Sequence, residues 1–255
     1  MDNENRFQAK ALLLENERIQ GDYYHASFAA PSIAKAAQPG QFIHVRIPEL
    51  EHRVLRRPFS IYNVNDGDVE IIYKVVGEGT KRLSLLSPGK GIDIMGPLGK
   101  PFTALPKGSA IVAGGYGCAA TYLLAKRAEV KPTVLIGGRT VGDILLKQEY
   151  ESLGCDVRIS TDDGSMGTKG RVTSILPDGI IWLASCGPIP MLKALAEIMS
   201  ERGIDGELSM DHAMCCGVGA CFACVTKVKA NTPDGWRYAR ICSEGPVFRA
   251  DSLVF

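Results

Sequence analysis

Over the first hundred residues, apolar and polar positions alternate with a period of two in short runs. These are Gln8 to Leu14, Tyr23 to Ala29, Gln41 to Ile47, Val69 to Val76 and Gly91 to Met95. Successive side chains of a strand point to opposite faces, so the runs predict half-buried strands. Pro39-Gly40, Asp66-Gly67 and Pro88-Gly89 supply the turns between them. Thr80 to Leu86 reads as one short helix. Strands joined by tight turns predict a small antiparallel barrel over residues 1–105. From about Ser109 the rhythm changes. Strands at Ala110–Ala113, Thr133–Ile136, Asp156–Ser160 and Ile180–Ala184 alternate with helical stretches at Thr121–Ala128 and Met191–Arg202. Strand–helix alternation predicts a parallel sheet over 106–206. Residues 207–255 form a third unit, with strands at Cys224–Lys229 and Trp236–Ile241 joined by Asn231-Thr232-Pro233-Asp234-Gly235. The fold class is therefore an antiparallel β-barrel, then an α/β parallel-sheet domain, then a small C-terminal domain.

Composition narrows the partners. The chain has 255 residues, 45% of them hydrophobic and 22% charged, with a net charge of +1. That balance gives no electrostatic case for nucleic acid or an anionic membrane. The stretch Met1 to Arg6 is polar and lacks an apolar signal core. No apolar run reaches transmembrane length. A cytoplasmic chain with reduced thiols is expected.

The cysteines add chemistry. The tail reads Met214-Cys215-Cys216-Gly217-Val218-Gly219-Ala220-Cys221-Phe222-Ala223-Cys224, and Cys242 follows. From Cys216 the spacing is C-x4-C-x2-C with a fourth cysteine beyond, the plant-type pattern for a [2Fe-2S] cluster. Four thiolates must converge on two irons, and glycines let backbone N–H groups approach the sulfurs. Cys216, Cys221, Cys224 and Cys242 are the candidate ligands, and the Cys224–Ile241 hairpin is expected to bring Cys242 back. Cys215 is left out because its side chain should diverge from that of Cys216. Zinc remains an alternative, although it favours paired C-x2-C knuckles and the chain has one such pair.

Further candidates are spread over the first two units. Arg56-Arg57-Pro58-Phe59-Ser60 combines a guanidinium, a rigid turn, an aromatic plane and a hydroxyl, a set suited to phosphate and a ring. Gly79-Thr80 open the presumed helix, where backbone N–H groups favour an anion. Gly114-Gly115-Tyr116-Gly117 form a Gly-rich strand-to-helix turn of the kind that cradles a pyrophosphate. The other strands end at Gly137-Gly138-Arg139-Thr140, Thr161-Asp162-Asp163-Gly164 and Ser185-Cys186-Gly187-Pro188. Ligands bind at such strand ends in open parallel sheets. Asp162-Asp163 is read as a loop cap beside a nicotinamide or ribose. Cys186 stands either near a redox ligand or in packing, and Cys118 and Cys155 read as packing residues. His44, His52 and His212 show no metal spacing and are assigned to packing or surface.

These motifs together resemble the ferredoxin–NADP reductase superfamily and, within it, the electron-transfer subunits of class 1B dihydroorotate dehydrogenase. The resemblance covers nearly the whole chain. It rests on Arg57-Pro58-Phe59-Ser60, Gly79-Thr80, Gly137-Gly138-Arg139, Thr161-Asp162-Asp163-Gly164, Cys186-Gly187-Pro188 and the run from Cys216 to Phe248. It implies that Arg57, Pro58, Phe59, Ser60, Ile72, Tyr73, Lys74, Gly79 and Thr80 hold FAD. It implies that Gly114, Gly115, Gly117, Gly138, Arg139, Asp163, Cys186, Gly187 and Pro188 serve NAD(H), and that the four cysteines hold a [2Fe-2S] cluster. The implied function is an NAD-linked oxidoreductase subunit of pyrimidine (UMP) biosynthesis. Electrons would pass to the FMN of a separate dihydroorotate dehydrogenase catalytic subunit, in an assembly of two copies of each. The chain alone is not expected to oxidise dihydroorotate. Two departures stand out. Tyr116, Cys118 and Ala120 replace the family's usual Ile/Val and Pro in the Gly-rich turn, and Phe59 replaces an aliphatic residue. Cys216 stands where the similar small subunits of NADH-dependent ferredoxin:NADP oxidoreductases carry Asp, and those subunits are the alternative reading. A carrier module without nicotinamide binding is a further one.

Overall fold

A computed structural model of the protein describes residues 7–48, 50 and 55–255. His52 and the Met1–Arg6 stretch lie outside the described residues. The first unit contains β1 (Phe7–Gln20), β2 (Tyr23–Ala29), α1 (Pro31–Ala36), β3 (Phe42–Arg46), β4 (Arg57–Ser60), β5 (Asn63–Asn65), β6 (Asp68–Lys74), α2 (Glu78–Ser84) and β7 (Gly91–Leu98). Its strands form one sheet in the order β4-β3-β7-β1-β2-β6-β5. The sheet curls until its edge strand β4 faces β6, and the Phe59 and Tyr73 rings meet edge-on with centroids 5.7 Å apart. Leu13, Phe28, Ile43, Ile71, Ile92 and Ile94 fill the interior.

Two expectations change here. β1 runs past Leu14 to Gln20, because β2 pairs with it along that whole extension. Arg57 to Ser60 form a strand and not a turn, paired antiparallel to β3 with Pro58 opposite His44. Proline lacks an N–H for the ladder, and β4 tolerates it because it is an edge strand.

The second unit contains β8 (Ser109–Gly114), α3 (Gly117–Arg127), β9 (Thr133–Gly138), α4 (Lys147–Ser152), β10 (Asp156–Thr161), β11 (Thr168–Lys169), β12 (Trp182–Cys186), α5 (Ile189–Arg202) and β13 (Asp205–Ser209). Every residue of β8 is buried, as expected of a strand covered on both faces. Its alternate side chains enter two cores. Ala110 and Val112 pack with Leu192 and Leu195 of α5, and Ile111 and Ala113 pack with Cys118 and Leu124 of α3. The strand expected at Ile180–Ala184 lies two residues later, and Cys186 is its last member. The parallel pairing of β12 with β8 runs as far as Cys186 and Ala113 and fixes that end.

The tail contains β14 (Val225–Lys229), β15 (Trp236–Arg240), α6 (Ile241–Glu244), β16 (Val247–Arg249) and β17 (Leu253–Val254). The second sheet has the order β11-β10-β9-β8-β12-β13-β16, with β16 antiparallel to β13. β13 spans the expected boundary after residue 206, and the tail adds an edge strand to the sheet before it. Cys224 and Cys242 share a buried core with Phe42 and Leu98 of the barrel and Leu208 of β13. One continuous core therefore joins the cysteine loop to both other units.

Candidate functional site

The strand order places a switch point at β8, whose neighbours β9 and β12 connect in opposite directions. A crevice opens at the carboxyl ends of the strands at such a point. A cavity of about 640 Å³ lies there. Gly114, Gly115, Gly138, Arg139, Cys186, Gly187 and Pro188 line it, as does Lys74 from the barrel. Asp162 also lines it. Asp163 does not: its carboxylate turns away and accepts from the Ser165 N–H at 2.9 Å. The Ser165 contacts hold Asp163 below the usual aspartate range. Gly117 starts α3 behind the lining. It packs so tightly on the Cys186 carbonyl that a Cβ has no room.

Sequence reasoning passed over several lining residues, among them Tyr23, Asp143, Arg171 and Asp211. The Tyr23 hydroxyl donates to Asp143 Oδ1 at 2.9 Å, and Lys74 Nζ donates to the Tyr23 oxygen at 3.2 Å. Arg139 Nε stands 3.4 Å from Asp143 Oδ2. Burial pushes the Tyr23 phenol up. Burial opposes the Asp143 charge as well, but the Tyr23 and Lys74 contacts outweigh it and hold the carboxyl low. The same partners raise Lys74 against its own desolvation. This network ties β2 and β6 of the barrel to the turn after β9. Its members are far apart in sequence, and no local signal links them. Across the mouth, the Tyr116 hydroxyl donates to Asp211 Oδ2 at 2.5 Å. Burial, with the Asp211 charge second, pushes the Cys186 thiol up to about 12.

On the barrel, the two arginines of the Arg-Arg-Pro motif part company. Arg56 is held by Asp93, with Nη2 at 2.7 Å from Oδ2. The Arg57 guanidinium crosses Gly79 at the start of α2, and Nε lies 2.8 Å from where a Cβ would sit. Thr80 Oγ1 accepts from the N–H groups of Val76 and Gly77 at 2.9 and 3.2 Å. Arg57, Ser60, Lys74 and Thr80 are half-exposed around this corner. Phe59, Ile72 and Tyr73 are buried. The Tyr73 hydroxyl donates to Asn16 Oδ1 at 2.8 Å, which turns its side chain to β1.

The cysteine loop turns back at Gly217 and Gly219, where φ is +70° and +87°. That reversal aims the N–H groups of Ala220 and Val218 at Cys216 Sγ, at 3.3 and 3.5 Å. Burial alone would raise the Cys216 thiol, but N–H groups of Val218, Cys221 and Ala220 and the Cys221 thiol bring it down to about 6. The hairpin of β14 and β15 returns Cys242 beside Cys224, and the Cys242 N–H reaches Cys224 Sγ at 3.4 Å. Burial, then the Cys224 thiol, pushes Cys242 up to about 12. The thiols thus stand as two pairs, Cys216 with Cys221 and Cys224 with Cys242. Among the described residues no three His, Cys, Asp or Glu side chains converge as a single metal ion requires. Cys215 does not diverge as expected. Because the loop folds back, its thiol also comes within hydrogen-bonding reach of Cys221. Arg240 of β15 braces the turn, with Nη1 donating to the Gly219 carbonyl at 3.0 Å and the guanidinium 4.9 Å from the Phe222 ring centroid. His44, assigned to packing, is buried against Gly217. Burial, with the Arg56 charge second, lowers it to about 4.

The sequence model described as "Oxidoreductase FAD-binding domain" matches residues 10–102. That described as "Iron-sulfur cluster binding domain of dihydroorotate dehydrogenase B" matches residues 211–254. The chain is similar to proteins named dihydroorotate dehydrogenase B (NAD(+)), electron transfer subunit. That of Desulforamulus reducens is 38% identical over 98% of this chain and 98% of its own length. That of Bacillus caldolyticus is 39% identical over 91% of this chain and 92% of its own. That of Fusobacterium nucleatum is 36% identical over 94% and 95%. Among solved structures, one described as an NADH-dependent reduced ferredoxin-NADP oxidoreductase superposes with a TM-score of 0.84. It is 29% identical and covers 96% of this chain and 90% of that one. A ferredoxin reductase of carbazole 1,9a-dioxygenase shares the fold, with a TM-score of 0.68 at 19% identity.

Proposed function

The chain belongs to the family of dihydroorotate dehydrogenase B electron-transfer subunits, and from that premise we propose that it links NAD(H) to the FMN of a separate catalytic subunit through FAD and a [2Fe-2S] cluster. The observation that carries this reading is the two-pair arrangement of Cys216 with Cys221 and Cys224 with Cys242, the second pair lying in one core with the barrel. A two-iron cluster takes two thiolates on each iron, and the pairs suit it better than a single four-thiolate ion. When bound, the flavin and the cluster supply the hydride and single-electron chemistry. The protein supplies binding, orientation and electrostatics.

Arg57, free of Asp93, offers its fork to an anionic group of FAD beside Ser60 and Gly79-Thr80. Phe59 and Tyr73 hold the strand behind that corner, and Ile72 to Lys74 line it. The nicotinamide nucleotide enters the crevice. There Gly114 and Gly115 allow close approach, Gly117 lets the start of α3 pack on the Cys186 carbonyl, and α3 presents backbone N–H groups to a phosphate. Gly138, Arg139, Asp163, Cys186, Gly187 and Pro188 flank it, with Asp163 holding the loop that carries Asp162. Tyr23, Lys74 and Asp143 fix the barrel against the sheet, so that flavin and nicotinamide meet in one orientation. In the loop, the N–H groups of Val218 and Ala220 favour the Cys216 thiolate, the form that ligates metal. Residues 1–105, 106–206 and 207–255 thus serve FAD, NAD(H) and the cluster in turn. Deprotonation of dihydroorotate falls to the partner subunit.

The assembly is two copies of each subunit, acting in the cytoplasm. Among the described residues no helix is long and apolar enough to cross a membrane. A second reading, the small subunit of an NADH-dependent ferredoxin:NADP oxidoreductase, is favoured by the superposition at 0.84. The higher identities to dihydroorotate dehydrogenase subunits and the thiol at Cys216 favour the first. The test is reconstitution with an FMN-containing dihydroorotate dehydrogenase subunit. Stable co-elution and NAD-linked oxidation of dihydroorotate are expected. A partner that stays separate and gains no NAD-linked activity contradicts the proposal.

A further inference from the structure

Two buried polar side chains beside the cysteine loop have no hydrogen-bond partner among the described residues: His44, at both ring nitrogens, and Ser243, at its hydroxyl. His44 has no solvent exposure. Its ring lies on Gly217. A Cβ at that glycine would fall 2.6 Å from Cε1, 2.8 Å from Nδ1 and 2.9 Å from Nε2. Ser243 Oγ stands 2.8 Å from the same position at Gly219. The two orphaned groups therefore face two glycines of one loop, one arriving from the barrel and one from beside Cys242.

A neutral imidazole carries one donor and one acceptor. Burying that donor unpaired costs about 1–3 kcal/mol. Its aromatic neighbour Phe42, with ring centroids 5.7 Å away, offers no acceptor to repay it. A leucine or phenylalanine would fill the same space without the penalty. The cost disappears if an acceptor occupies the loop, and thiolate or sulfide sulfur is such an acceptor. His44 also pairs directly with Pro58 in the strand ladder. The imidazole thus stands between the strand assigned to FAD and the loop assigned to the cluster.

We propose that His44 is a positioning residue for the cluster, donating a ring N–H to sulfur held in the 216–224 loop and tying that loop to the flavin strand. The proposal rests on the cluster reading above. A hydrogen bond to sulfur favours the reduced, more negative state and raises the potential. Its removal lowers the potential.

The test uses full-length protein labelled with ¹⁵N-histidine, first assayed for iron and acid-labile sulfide and then reduced and examined by pulsed EPR. Protein without iron and sulfide overturns the cluster reading and this inference together. With the cluster present, a histidine ¹⁵N coupling is expected, lost in His44→Phe and kept in His212→Gln. Its absence from the wild type overturns the inference alone. In a redox titration, cluster-loaded His44→Phe should shift the one-electron equilibrium about tenfold toward the oxidised form, 59 mV more negative. His44→Gln, which keeps a donor, should recover part of that shift. Equal potentials in wild type and His44→Phe contradict the proposal. Should His44→Phe fail to fold, the labelled wild type decides.

Discussion

The cysteine loop gathers its sulfurs from one short stretch and a hairpin that returns to it, whereas the cavity at the sheet edge draws its lining from positions as far apart as Tyr23 and Asp211. Both rely on glycine, for different reasons. Gly217 needs a left-handed φ and room for the His44 ring, and Gly117 needs room for the Cys186 carbonyl. Their polar groups differ more. The cavity pairs Tyr23, Lys74, Asp143 and Arg139 with one another in place. The loop keeps buried groups without partners. Under the proposed function the cavity admits and releases a nucleotide, and the contacts that join barrel and sheet hold without one. A site for a resident group is completed by that group.

Substitutions should separate the two regions. The largest effect is expected from Cys221→Ser, which should abolish the cluster's visible absorption and leave the flavin spectrum in place. An unchanged spectrum removes Cys221 from the ligand set. Next is acid stability. His44 is pushed from 6.5 down to about 4, so its unfolded form binds the proton first. His44 carries no protonation penalty above pH 6.5, and the folded state loses roughly 3 kcal/mol relative to the unfolded chain as pH falls toward 4. Asp143 is also held low, but from an ordinary value of 3.8, so the cavity network loses stability only below that range. Thermal melts at pH 7 and pH 5 should therefore show a drop that His44→Phe reduces and Asp143→Asn does not. Equal drops in all three proteins would remove the distinction.

Gly117→Ala follows, with an overpacking cost of about 1–3 kcal/mol. It should abolish flavin bleaching by NADH while iron content stays at wild-type level, and loss of iron would show the regions are not separable. The smallest effect belongs to Tyr23→Phe, which removes two hydrogen bonds worth about 1 kcal/mol each but leaves Lys74 and Asp143 paired at 3.4 Å. NADH should bind several-fold more weakly in a flavin-reduction titration, with the cluster potential unmoved.

What could be read from the residues divides along the same line. Cysteine spacing is set by the cluster it must wrap, so the loop is legible by itself. The Gly-rich turn and the strand ends are legible because α/β units place ligands there. Tyr23 and Asp143 carry no such mark, since their meeting depends on how the barrel docks on the sheet. The strand at Arg57–Ser60 was masked by proline, whose place on an edge strand is a tertiary fact. β12 was misplaced by two residues because an apolar run does not mark its own ends, and pairing with β8 does. The short α4 at Lys147–Ser152 went unread, since only Tyr150 among its residues is buried. His44 illustrates the limit best: a lone histidine in a strand reads as packing until its neighbour is known to be Gly217.

The central claim is that NADH at the sheet edge and the cysteine loop belong to one electron path. The most direct measurement is an anaerobic titration of the purified chain with NADH, following flavin absorbance and the EPR signal of the reduced cluster together. Flavin bleaching followed by appearance of the cluster signal is expected without any partner protein. Protein loaded with FAD, iron and sulfide that shows neither change at millimolar NADH would contradict the claim.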